Sequence, residues 1–241
     1  MGKILFTVSD IHGHYTALMK ALEAAGFDQN NEDHIFVSCG DLFDRGRENA
    51  EVYDFVKSLP RKILIRGNHE DGLFRILKQG YLEEDEFVNE TDITVLQLLG
   101  KEALDSAGKI DVIAYAEKKD EILSFIGSMR DYYETDRYIF THGWLPIAFA
   151  GRRPAVDPLW REASEEEWQL SHTQEWQQLY SVGAVLEGKT IVCGHRPAYM
   201  GYQFDYRREH DCNEPFYGVG MIAIDPNVIR SGVVHVLILE I

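Results

Sequence analysis

Five short apolar runs in this chain each end in residues that can bind a cation. Run 4–8 leads into Ser9-Asp10-Ile11-His12-Gly13, and run 35–39 into Gly40-Asp41-Leu42-Phe43-Asp44-Arg45-Gly46. Run 62–65 leads into Arg66-Gly67-Asn68-His69-Glu70, run 138–141 into His142-Gly143, and run 190–193 into Gly194-His195. In open α/β sheets ligands collect outside the carboxyl ends of the strands. Five such ends would bring two Asp, one Asn and three or four His to one place. Carboxylate and imidazole together suit Mn, Fe or Zn better than Mg or Ca, which take oxygen. The donors exceed what one tetrahedral ion needs. Two ions sharing a carboxylate explain the count, and such pairs, roughly 3.5–4 Å apart, act in displacements at phosphorus.

Each motif alone is weak. An Asp after a strand is usually a helix cap. A lone His is usually an ordinary surface or core group, and His34, His172, His210 and His235 are read so. The recurrence at five strand ends carries the inference. Glycine beside each motif lets the turn take unusual dihedrals and lets backbone approach an ion.

Asp-x-His-Gly at 10–13, Gly-Asp-x-x-Asp-Arg-Gly at 40–46 and Gly-Asn-His-Glu at 67–70, followed by His142 and Gly194-His195, carry a resemblance. They resemble the phosphoprotein phosphatase family of calcineurin-like metallophosphoesterases, in its bacterial or phage-type serine/threonine protein phosphatase branch. The likeness runs from residue 4 to about 195, with Ser9 where the family usually has Gly. It implies a layered α/β (α+β) fold, a β-sandwich flanked by helices, where periodicity alone suggests a doubly wound sheet. It implies two divalent ions, manganese first, with iron or zinc as alternatives. One ion would be held by Asp10, His12 and Asp41, the other by Asp41, Asn68, His142 and His195, with Asp41 bridging. Arg45 would bind phosphate, His69 would protonate the leaving oxygen, and Asp44 would orient His69. A second phosphate-binding Arg is assigned to Arg161, with Arg153 and Arg196 as competitors. The chemistry is coherent. Two ions lower the pKa of a shared water from about 15.7 toward about 7, an Arg fork matches two phosphate oxygens, and a His supported by a carboxylate is a proton donor.

The elements that must position these residues are short. The runs are rich in Ile, Val, Leu and Phe with almost no polar alternation, which suits strands buried on both faces. Runs 220–224 and 233–239 add two more candidates. Helical spacing covers 15–25, followed by Gly26, and 48–59, followed by Pro60. From 71 to 136 no strand is predicted. Helices at 73–79, 92–107 and 116–129 and the acidic run Glu83-Glu84-Asp85-Glu86 read as a helical insertion within a single domain spanning 1–241. The irregular stretch 145–188 is rich in Trp.

Forty acidic against 24 basic side chains give a net charge of −16 over 241 residues. That balance argues against nucleic acid or an anionic membrane as partner, since phosphate backbones demand Lys and Arg. A phosphoprotein or small phosphorylated substrate held by local positive charge remains compatible. The three cysteines are widely spaced, which fits a reducing compartment better than a disulfide framework. No apolar run approaches the length of a membrane span and no signal peptide is predicted, so a cytoplasmic location is expected. Oligomeric state is not legible. The leading expectation is a serine/threonine protein phosphatase. The alternative is a dinucleoside polyphosphate hydrolase acting on a substrate such as diadenosine tetraphosphate. It needs an aromatic slot, for which Trp144, Trp160 and Tyr199 are candidates, although core packing is the commoner role of such aromatics. A third reading, a catalytically dead phosphopeptide-binding module, requires a lost ligand, and none is lost. The insertion is expected to set substrate choice through Glu83, Glu84 and Glu86, leaving the metal chemistry alone; the competing reading is a solvated charge run.

Overall fold

The computed structural model describes residues 2–203 and 214–241; His210 and Cys212 lie outside the described residues. In chain order the strands are β1 (Ile4–Val8), β2 (His34–Ser38), β3 (Lys62–Leu64), β4 (Tyr133–Glu134), β5 (Tyr138–Phe140), β6 (Ile147–Ala150), β7 (Arg153–Val156), β8 (Thr190–Cys193), β9 (Phe216–Gly218), β10 (Met221–Ala223) and β11 (Leu237–Glu240). The helices are α1 (Tyr15–Ala25), α2 (Asn49–Ser58), α3 (Asn68–Gln79), α4 (Glu84–Val88), α5 (Thr91–Leu99), α6 (Ala116–Gly127), α7 (Glu165–His172), α8 (Trp176–Ser181), α9 (Tyr199–Tyr202) and α10 (Val228–Ser231). One sheet has the order β11-β1-β2-β3, a second the order β4-β5-β8-β10-β9, and β6-β7 form a separate hairpin. The fold is mixed α/β.

Alternate residues of each strand face different layers, because successive side chains point to opposite sides of a sheet. Leu5, Val37, Phe140, Val192, Ile222 and Leu239 form one apolar cluster between the two sheets. Val8 and Phe36 instead pack with Leu18, Val52, Leu73 and Ile122 of the flanking helices. Ile139, Ile191, Cys193 and Met221 pack with Trp144, Trp160, Trp168 and Trp176 on the far side. Both faces of the central strands β1, β2, β5 and β8 are therefore apolar, which is why their runs show no alternation, whereas β11 at the edge alternates buried and exposed residues.

Helix ends follow local chemistry. α1 stops where Gly26 turns left-handed at φ 76°, its N–H donating to the Leu22 and Glu23 carbonyls. The predicted helix 92–107 ends at Leu99, because Gly100 adopts φ 146°. Residues 101–111 form turns and isolated bridges instead. The stretch 71–136 also holds one strand, β4, which the sequence did not signal. The hairpin strand β7 contains Pro154, which lowers a strand prediction; a two-stranded ribbon has free edges that tolerate it. The acidic run opens α4, where Glu86 accepts from the Glu83 N–H at 2.6 Å and pairs with Arg75. A helix N-terminus favours such acidic side chains, so Glu86 is buried structural charge. Among the described residues no helix is long and apolar enough to cross a membrane.

Candidate metal centre

β1, β2 and β3 run parallel in one sheet, and β5, β8 and β10 run parallel in the other. Their carboxyl ends meet. Within the first sheet the Asp10 N–H donates to Gly40 O at 3.0 Å and the His12 N–H to Asp41 O at 3.0 Å. Two bonds cross between sheets: the His195 N–H donates to Asp10 Oδ2 at 3.0 Å, and His142 Nδ1 to Cys39 O at 2.7 Å. Asp10, His12, Asp41, Asp44, Arg45 and His195 all have left-handed backbone, with φ between 46° and 73°. Left-handed non-Gly residues cost roughly 1–2 kcal/mol each and persist where the surroundings hold them. At Gly67 a Cβ would strike the Asp41 side chain and backbone, so only glycine lets these two turns touch.

The side chains converge on one oxygen. Asp41 Oδ2 lies 3.3 Å from His142 Nε2 and 3.8 Å from both His12 Nε2 and His69 Nε2. His142 Nε2 is also 3.0 Å from Asn68 Oδ1, and His12 Nε2 is 3.9 Å from Asp10 Oδ1. Two donor groups share Asp41: His12, Asp41 and His69, and Asp41, His142 and His195, with ligand atoms within 4.8 Å of one another. Two atoms bonded at about 2.1 Å to one tetrahedral ion lie roughly 3.4 Å apart, so the set fits metal ions. The far ring nitrogens fit too. His12 Nδ1 donates to Phe43 O at 2.9 Å and His142 Nδ1 to Cys39 O, which turns each Nε2 toward the centre as a ligand requires.

Electrostatics agree. Burial would raise Asp41, but His142 and His69 outweigh it and hold its carboxyl well below the usual range. Burial would lower His142, but Asp41 carries it up to about 10. Burial drives His12 well down and His195 to about 3, so both are neutral imidazoles. A cation held by Asp41, His142 and His195 would take the place of the His142 proton. Burial raises Asp10 to about 6, and burial followed by the Asp10 charge raises Asp225 well above the carboxylate range. Crowded buried carboxylates of this kind are the field a metal relieves.

The structure thus brings Asp10, His12, Asp41, Asn68, His142 and His195 together. His69 Nδ1 donates to Asp44 Oδ2 at 2.7 Å, and Arg45 donates to His12 Nε2 at 3.1 Å. A cavity of about 190 Å³ holds His12, Asp41, Arg45, Asn68, His69 and His195. Arg161 is not on its wall. That guanidinium binds Glu134 through Nε at 2.8 Å and a second nitrogen at 2.5 Å, while Arg196 lines the cavity. Arg153 is exposed on the hairpin. Trp144 and Trp160 are core side chains, 0% and 2% exposed, and offer no slot. Two residues escaped the sequence reading. Asp225, on the cavity wall, follows a sixth strand that lacks the flanking glycine. Glu70 accepts from the N–H groups of Asp41, Leu42 and Gly67 at 2.8–2.9 Å and so locks two ligand loops together.

Comparisons with known proteins agree with this arrangement. Residues 4–224 match the family described as calcineurin-like phosphoesterase. A symmetrical bis(5'-nucleosyl)-tetraphosphatase of Coxiella burnetii is 33% identical over 123 residues, covering 51% of this chain and 41% of the relative. One from Xylella fastidiosa is 28% identical over 181 residues, 74% of this chain and 52% of the relative. The chain therefore spans about half the length of the curated relatives it matches. A candidate diadenosine tetraphosphatase superposes with a TM-score of 0.54 at 15% identity, covering 100% of this chain and 94% of that one. A cold-active protein-tyrosine phosphatase of a Shewanella species gives 0.57 at 16%, with 100% and 76% covered. These two show the fold. With candidate metal ligands at the strand ends of two facing sheets and a family match over nearly all of its length, the chain belongs to the calcineurin-like phosphoesterases.

Proposed function

We propose that this protein is a metal-dependent hydrolase of dinucleoside polyphosphates, with diadenosine tetraphosphate as the type substrate. The serine/threonine phosphatase expectation gives way to the alternative, because curated relatives over 51–74% of the chain carry the tetraphosphatase name. One observation carries the reading. The metal cavity is too small for a nucleotide, but it shares Asn68 with an open groove of about 700 Å³ that holds Arg66, Arg75, Lys78 and Phe74. Lys78 Nζ stands 4.3 Å from the Phe74 ring centroid. A dinucleotide needs both features outside the reacting phosphate: positive charge for further phosphates and an aromatic face for a base. Asp71 and Glu165 also line this groove, each paired with Arg66, and Arg75 is paired with Glu86, so Lys78 is the groove cation that no carboxylate pairs among the described residues.

In the proposed reaction water adds its oxygen to an inner phosphorus, the bridging P–O bond breaks, and two nucleoside diphosphates leave. Two divalent ions, when bound by the Asp41 cluster, would lower the pKa of that water and neutralise phosphate charge. Arg45, 3.1 Å from His12 Nε2, binds phosphate oxygens with a planar fork that suits them; Arg196 lines the same cavity but is held by Glu175 at 2.6 Å. His69, held by Asp44, gives a proton to the leaving oxygen. The test is a substrate panel with manganese: diadenosine tetraphosphate, phosphoserine peptides and p-nitrophenyl phosphate. The expected result is nucleoside diphosphate as sole product and a kcat/KM at least about tenfold above any peptide, a gap of about 1.4 kcal/mol. Peptide turnover that matches or exceeds the dinucleotide restores the protein phosphatase reading.

A further inference from the structure

We propose that Thr91 and Thr94 are positioning residues for the Asp44–His69 pair, so that α5 supplies part of the proton-donating machinery. Thr94 Oγ1 donates to Asp44 Oδ1 at 2.6 Å, and Thr91 Oγ1 to Asp44 Oδ2 at 3.0 Å. His69 Nδ1 shares that second oxygen at 2.7 Å. All four side chains are buried. A carboxylate on its own turns broadly about its last torsion. Donors on both oxygens remove that freedom and aim Oδ2 at the imidazole. The two threonines stand three residues apart on one helix face, and their branched side chains have few rotamers.

The backbone around Asp44 needs the same support. Asp44 and Arg45 are left-handed at φ 73° and 66°. The Arg45 N–H donates to Asn89 O at 3.1 Å, just before α5. Arg47 pairs with Glu90 at 2.7 Å, and Gln97 accepts from the Asn49 N–H at 2.9 Å. The stretch expected to leave the chemistry alone is thus hydrogen-bonded to the loop that carries Asp44 and Arg45.

This rests on His69 being the acid of the proposed function, so the experiment separates the two. Leaving-group dependence is the readout, because a structural defect would lower turnover of every ester alike. Thr94→Val, Thr91→Val and Thr94→Ser are compared with His69→Asn on phenyl phosphate, whose leaving group has a pKa of about 10, and on p-nitrophenyl phosphate, whose leaving group is far more acidic, with manganese saturating. Each valine variant should lose about tenfold in kcat on phenyl phosphate and less than about threefold on p-nitrophenyl phosphate, a fraction of the 10²–10⁴ that a general acid supplies. Thr94→Ser keeps its hydroxyl and should recover most of the loss. Equal losses on both esters in the valine variants, or no loss, overturn the inference, as does a serine variant as poor as the valine. His69→Asn losing evenly on both esters overturns the acid assignment, and this inference with it. Uneven loss in His69→Asn beside even loss in the valine variants overturns this inference alone. Should Thr94→Val not fold, Thr91→Val, at the longer bond, reads the same outcome.

Discussion

Asp41 stands where three imidazoles meet, and its charge is the quantity the centre cannot replace. Asparagine keeps the shape but not the charge. Asp41→Asn should lower kcat about a thousandfold, the scale of losing a preorganised electrostatic group. With metal removed by chelator, the melting temperature should move by only a few degrees. A variant that keeps a tenth of kcat, with two ions found by elemental analysis, would remove Asp41 as the bridge. Glu70 makes a different kind of prediction. Its carboxylate accepts from three buried N–H groups, and a glutamine would turn its NH₂ toward one of them. Glu70→Gln should cost about 1–3 kcal/mol of stability, the penalty for an unsatisfied buried donor. A urea midpoint unchanged from wild type would show that another acceptor takes over. At this scale the sequence was informative wherever chemistry was local. Asp10, His12, Asp41, Asn68 and His195 each sit within two or three residues of a glycine at a strand end. Arg161 misled because its partner, Glu134, lies 27 residues away, and nothing near Arg161 in the chain reveals that a carboxylate already holds it.

Among the elements, the core strands of both sheets were legible, because four or five consecutive apolar residues leave few alternatives. The helices were legible at their capped ends and not at Gly100, where φ is 146° and an added side chain would press on the ring of Tyr115, 15 residues on. The two-residue strand β4 had no signal of its own. It is fixed by pairing with β5 and by Glu134, which accepts from Arg161 and, at 2.7 Å, from Lys189 at the foot of β8. Hydrogen bonds from Arg161, then from Lys189, hold the Glu134 carboxyl down at about 2, against an ordinary 4.5. A depressed carboxyl stabilises the fold above its unfolded value and stops doing so as pH falls through the folded one. The bridge therefore acts fully above about pH 5 and fades between 4.5 and 2. Arg161 is half-exposed, so screening keeps the effect of Glu134→Gln at pH 7 to about 1 kcal/mol or less. Denaturation at pH 7, 5 and 3 should show the wild-type advantage shrinking only at the lowest pH. An advantage that grows on acidification would contradict the assignment.

For the molecule as a whole, periodicity could not decide between a doubly wound sheet and two stacked sheets. Strands apolar on both faces fit either, since the second face does not record whether a helix or another sheet covers it. The answer lies in long-range contacts such as Leu5 with Phe140 and Val192 in one cluster. The first sheet supplies Asp10, His12, Asp41, Asn68 and His69 from its strand ends, and the second supplies His142, His195 and Asp225. Ions at this junction would be bound only when both sheets are assembled, so metal binding is linked to folding. A ligand at 100 times its dissociation constant adds about 2.7 kcal/mol, and for a domain of this size each kcal/mol moves the melting temperature about 2–4 °C. Saturating manganese, compared with chelator, should raise the melting temperature roughly 5–10 °C for one site and more for two. Asp41→Asn should lose most of that rise, because both clusters use Asp41, while Glu134→Gln, which is remote from the ions, should keep it. A rise of less than 1 °C in wild type, or an equal rise in Asp41→Asn, would place manganese elsewhere on this acidic surface and separate the stability of the two sheets from the metal centre between them.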